Sequence, residues 1–218
     1  MKTKTIFVAT LLVILPLTTV GCSATRDSNP SNDITQGSNN FGKQNVTLLS
    51  SLRSPTKSLW YEIWNSKGVL STDGATRHVI LLQDGKVTSY EVNDNFSKFA
   101  NLSITEAQNK AIKELDKDGQ KQSAQGQIQL MMDDSGNNVE GERLAANKGV
   151  LNSYTDPDDQ VQIISPTKIL NQYFAGYVYT SRKDPEDVTF MVTPVSKNTV
   201  IDFDKPGQKY TKRILKQD

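Results

Sequence analysis

The two side chains that do most of the nucleophilic and proton-transfer work in proteins occur once each in this chain of 218 residues, as Cys22 and His78. One cysteine cannot close an internal disulfide, and one histidine leaves a single imidazole for acid–base work or for a metal. No G-x-S-x-G elbow, G-x-x-x-x-G-K-[ST] loop, G-x-G-x-x-G turn or H-E-x-x-H pair is present. A hydrolase built on this chain would have to combine His78 with Glu62 and Glu91, the acids that strand pairing can bring near it. Asp133-Asp134 and Asp156-Pro157-Asp158-Asp159 carry oxygens of the kind calcium takes, yet neither has EF-hand spacing, so both read as solvated turns. Catalytic residues, a metal site and a cofactor are therefore not expected. Trp60 and Trp64 are the candidate binding residues, because aromatic side chains exposed on a sheet anchor partners.

The elements that must position these residues start with Ser58–Asn65, SLWYEIWN, whose aromatic and β-branched content predicts a strand. With period two, Leu59, Tyr61 and Ile63 share one face, and Trp60, Glu62 and Trp64 the other. Both faces are largely apolar. The strand is thus either covered on both sides or left with an exposed aromatic patch. Next, Asp84-Gly85 between HVILLQ and KVTSYEV predicts a two-residue hairpin. That turn sets Gln83 opposite Lys86, Leu82 opposite Val87, Ile80 opposite Ser89, Val79 opposite Tyr90 and His78 opposite Glu91.

Ser103-Ile-Thr-Glu106 is a capping box that opens a helix, with Ile104, Ala107, Ala111 and Leu115 forming one apolar stripe and Gly119 a stop. Strand-like runs return at Gln127–Met132, Val139–Leu144, Val161–Ser165, Tyr173–Thr180, Val188–Thr193, Val200–Phe203 and Tyr210–Leu215. Ser165-Pro166 could instead open a helical turn through Asn171. The expected class is α+β: a mainly antiparallel sheet with one principal amphipathic helix.

Ahead of all this lies a segment to be set apart from the fold. Lys2 and Lys4 precede twelve uncharged residues, Ile6–Leu17, too short to span a membrane and interrupted by Pro16. Gly21 is followed at once by Cys22, where an ordinary export signal would end in small residues. The pattern resembles the lipobox of bacterial lipoprotein precursors, with Thr19 where leucine is usual. The resemblance implies a signal peptide over 1–21, cleavage before Cys22 and diacylglyceryl transfer to its sulfur. Membrane attachment through lipid on Cys22 follows, on the face away from the cytoplasm, and two or three acyl chains make it durable. The segments DDSGNNVEGERL and VIDFDKPGQ also resemble small lipoproteins of low-GC Gram-positive bacteria, which carries no functional residue across.

Residues 22–45 are rich in Ser, Asn, Asp and Gly and read as a flexible tether with a span of roughly 25 Å. Residues 46–218 suffice for a single globular domain. Without Lys2 and Lys4 the charged residues number 23 basic and 24 acidic, a net of −1, which argues against a nucleic-acid partner. The expected function is a membrane-anchored extracytoplasmic lipoprotein, a non-catalytic binding or interaction module of the cell envelope with a protein or peptide partner. The alternatives are a lipid-anchored envelope hydrolase and a structural housekeeping lipoprotein without a small ligand.

Overall fold

Turn chemistry at Asp84-Gly85 organises the centre of the sheet. In the computed structural model, which describes residues 45–115, 121–146, 155 and 158–215, Asp84 and Gly85 have φ of 49° and 77°, the mirror-image turn that matches strand twist. The strands it joins, β3 (Ala75–Gln83) and β4 (Lys86–Asn95), pair with Gln83 opposite Lys86, Val79 opposite Tyr90 and His78 opposite Glu91. This is the register read from the turn. An ideal Cβ on Gly85 would lie 2.5 Å from the Tyr210 hydroxyl oxygen, so close packing as well as positive φ requires glycine.

β2 (Ser58–Trp64) is paired antiparallel by β3 on one side and by β9 (Val188–Val195) on the other. Beyond β9 come β8 (Gln172–Thr180) and β7 (Gln160–Ile169); beyond β4 come β5 (Lys121–Met132) and β6 (Val139–Ala146). All these neighbours are antiparallel. β5 begins six residues before the expected Gln127 and serves two partners, β4 along Lys121–Gln125 and β6 from Gly126 onward. A short β11 (Thr211–Leu215) runs parallel to its second half. The outer strands then meet: a Cβ on Gly141 of β6 would lie 2.8 Å from the Val161 Cβ of β7, so the sheet nearly closes into a barrel.

That closure accounts for the two apolar faces of β2. Trp60, Ile80, Leu82, Val87, Ile128, Leu144, Tyr177 and Met191 form one buried cluster contributed by strands all round the sheet, which is the barrel interior. α1 (Leu48–Arg53) adds Leu48, Leu49 and Leu52 to it. This helix was not foreseen, although its box is local: Thr47 Oγ1 accepts from the Ser50 amide at 3.0 Å, and Ser50 Oγ accepts from the Thr47 amide at 2.8 Å. Six residues cannot hold a helix alone; three buried leucines, each worth about 1.5–3 kcal/mol, hold it in place. Asn45, expected as the last tether residue, already pairs with Val200, in the two-residue parallel pair β1 (Asn45–Val46) and β10 (Val200–Ile201).

The other cluster lies on the outer face, where Leu59, Tyr61, Ile63, Val79, Leu81, Tyr90 and Val92 meet Phe96, Phe99 and α2 (Ile104–Leu115). Ala107 and Ala111 are buried there, with Ile104 and Leu115 packed against the same cluster. The capping box is formed, Glu106 Oε2 accepting from the Ser103 amide at 2.9 Å while Ser103 Oγ accepts from the Glu106 amide at 3.3 Å. The architecture is thus a mostly antiparallel, nearly closed sheet with few helices. Pro166 lies inside β7 rather than in a helical turn, at the irregularity between Ile164 and Thr167 where a ladder amide is not needed. The chain turns into β8 at Leu170, with φ of 55°.

Candidate functional site

α2 covers the outer face of the sheet over Val79, Tyr90 and Val92 but stops short of the Asp84-Gly85 turn. What remains bare is a cleft of about 400 Å³ lined by Lys57, Lys86, Lys121, Thr88, Ser123 and Gln108, together with Leu81, Gln83, Asp84 and Tyr90. Register explains the set. Gln83 faces Lys86, Leu81 faces Thr88 and then Ser123, and Val79 faces Tyr90 and then Lys121, so alternate residues of three strands point to one side. Gln108 closes the helix side, its amide nitrogen donating to the Tyr90 hydroxyl at 2.9 Å and its carbonyl accepting from Lys57 Nζ at 3.1 Å. The Thr88 and Ser123 hydroxyl oxygens are 3.2 Å apart.

The grouping of His78 with Glu62 and Glu91 is assembled in part. Glu62 and His78 are opposite each other on β2 and β3, with His78 Nδ1 and Glu62 Oε2 3.2 Å apart. Both belong to the face that carries Trp60 and Ile80, and both are buried, His78 at 5% exposure and Glu62 at 0%. Glu91 stands opposite His78 in the ladder, but it is exposed. The pair therefore sits within the barrel wall, where this close contact bridges β2 and β3.

A second acid pair lies further along the interior. Glu142 of β6 is fully buried and Asp204 nearly so. Glu142 Oε2 accepts the Asp204 amide hydrogen, and Asp204 Oδ2 accepts the Leu49 amide hydrogen at 2.8 Å, tying the first turn of α1 to the barrel. Burial, with Asp204 beside it, pushes the Glu142 carboxyl up to about 8. Asp204 is raised too, chiefly by burial. Neighbouring Tyr179 donates to the Glu142 carbonyl at 2.7 Å, and burial, then the Glu142 and Glu62 charges, hold its phenol well above the usual range. Burial thus favours the protonated form of each of these groups, and none of them lines the cleft.

Trp60 is fully buried and stacks on Tyr177, ring centroids 6.2 Å apart, so it is not available as a surface anchor. Trp64 is half-buried. Its indole nitrogen donates to Asp187 at 2.9 Å and the Arg77 guanidinium lies over its ring at 5.6 Å, which leaves little of it to a partner. Asp133 spends its carboxylate inside its own turn, accepting from Asn138, Ser135 and the amides of Asn137 and Asn138, and these bonds lower it to about 2. No group of three or more acids, histidines or cysteines poised for a metal occurs among the described residues. Asp156 and Pro157 lie outside them, as do Cys22, the signal segment 1–21 and the tether up to Gln44.

The cleft was not foreseen. Its one local clue was the hairpin, which put Lys86 opposite Gln83; Lys121 belongs to a part of β5 that carries no strand signal of its own. Among protein-family models, curated proteins and solved structures, none matches this chain.

Proposed function

We propose that this protein is a lipid-anchored module on the extracytoplasmic face of the cell membrane, held there through Cys22, and that it binds an envelope component without transforming it. The observation that carries the binding reading is the open polar cleft on the outer face of β3, β4 and β5, next to the two-residue Asp84-Gly85 turn. Binding sites are commonly concave and placed on stiff elements. The non-catalytic reading is supported by the place of the imidazole, buried with Glu62 in the barrel wall instead of lining the cleft. The anchor is supported by the signal-like segment that ends at Gly21-Cys22. We also read the domain as α+β, with α2 as its principal amphipathic helix, because Ala107 and Ala111 are buried while Glu106 and Lys113 face water.

Membrane partition tests the location. Wild-type chain should enter the detergent phase after export, and Cys22→Ala should appear in the medium or accumulate as precursor. Unchanged detergent-phase partition of Cys22→Ala would refute the anchor.

A further inference from the structure

Three lysines elsewhere on the fold stand beside acids: Lys67 with Asp73, Lys98 with Asp94, and Lys110 with Asp94 and Glu114. In the cleft, Lys57 donates to a neutral amide and Lys121 lies over the Tyr90 ring at 5.8 Å. Neither these two nor Lys86 forms an ion pair among the described residues. Asp84 is the one acid in the lining, so three ammonium groups and one carboxylate leave the concavity cationic, with a local charge of +2. Like charges gathered on one face repel each other. An anion entering the cleft would relieve that repulsion.

We propose that this cleft binds the phosphate group of a phosphate ester, a proposal that rests on the binding-module reading and names its ligand chemistry. Lysine is a compact point charge suited to the spread charge of a phosphate, whereas planar carboxylates are matched by the arginine fork, and no arginine lines the cleft. The Thr88 and Ser123 hydroxyls, 3.2 Å apart, use one hydrogen between them. The second hydrogen can turn to a phosphate oxygen. A volume of about 400 Å³ admits the phosphate together with a small alcohol portion. Such an ester can be a soluble molecule or the headgroup of a membrane lipid.

The test uses the full chain, isotopically labelled, in micelles of an uncharged maltoside detergent, with amide shifts of Gly85, Lys86 and Ser123 as the readout. The probes are inorganic phosphate, glycerol 3-phosphate, and phosphatidylglycerol doped into the micelles. The expected result is saturable, salt-sensitive binding. Lys86→Ala and Lys121→Ala should each weaken it about tenfold or more, the range of a charge-assisted hydrogen bond. Lys168→Ala, on β7, should leave it unchanged. Asp84→Asn should tighten it, a gain that a folding defect cannot mimic, and asparagine tolerates the positive φ of that turn.

Saturation by glycerol 3-phosphate assigns a soluble ester, and saturation by doped micelles alone assigns the lipid headgroup; each supports the site. No saturation by any probe, or equal losses in Lys86→Ala and Lys168→Ala, would overturn it while leaving the tethered-module reading in place. Hydrolysis of a bound ester by the same sample would support the site and overturn the non-catalytic reading.

Discussion

Replacing Glu142 by glutamine should stabilise the protein increasingly as pH rises. In the fold this carboxyl is pushed up from 4.5 to about 8. Between these values the unfolded chain has lost the proton and the native chain keeps it, so the unfolded state binds fewer protons. Stability must then fall as pH climbs from about 4.5 to 8. At about 1.4 kcal/mol per unit, the loss attributable to Glu142 approaches roughly 5 kcal/mol above pH 8 as an upper value, which relaxation of the site reduces. The amide of Glu142→Gln resembles the protonated acid: its oxygen can accept the Asp204 amide hydrogen, and its nitrogen can donate to the Asp204 carboxylate. At pH 4.5 the variant should lie within about 1 kcal/mol of wild type, the scale of one exchanged hydrogen bond. At pH 8.5 it should be more stable by about 2–5 kcal/mol. Urea unfolding followed by tryptophan fluorescence, with Trp60 as an interior reporter, measures both values. Asp204, also raised, leaves a residual slope of the same sign in both proteins. A wild-type-to-variant difference that is constant from pH 4.5 to 8.5 would refute the reasoning, because it would mean that Glu142 is already ionised in the folded protein.

Gly85→Val should cost at least about 1–3 kcal/mol, from the positive φ it must hold and from the encounter of its Cβ with Tyr210; an unchanged thermal midpoint would show that the turn bears no strain. His78→Ala leaves Glu62 buried without its imidazole neighbour and should lower stability by about 3 kcal/mol in denaturant titration, the range for one partner removed from a buried pair. If the pair is structural, phosphate-ester binding by the refolded variant is retained; turnover of an envelope substrate that disappears with His78 would make the pair catalytic instead.

Some features of this protein were legible from residues close together in the chain. Asp84-Gly85 determined its own turn, and the alternation on either side carried that register as far as His78 and Glu91, because a two-residue loop leaves the ladder no freedom to slip. Ser103 and Glu106 determined the start of α2, since a capping box is satisfied within one turn of backbone. SLWYEIWN declared two apolar faces and so a strand in need of cover on both, though not what would cover it. The alternatives left open at Ser165-Pro166 were settled by pairing with β8, which a local cap cannot foresee.

Tertiary structure decided the rest. Glu142 and Asp204 are 62 residues apart in sequence, and they meet because near-closure of the sheet brings β6 and the segment after β10 to the same end of the interior. Trp60 and Trp64 look equivalent in the sequence, yet curvature encloses one and leaves the other at the strand end. Lys57, Lys86 and Lys121 share a cleft because the lengths of β5 and α2 leave the turn end of the outer face uncovered. Spacing and turn chemistry act over a few residues, whereas which strands become neighbours, and where a covering helix stops, is set by burial of the whole core.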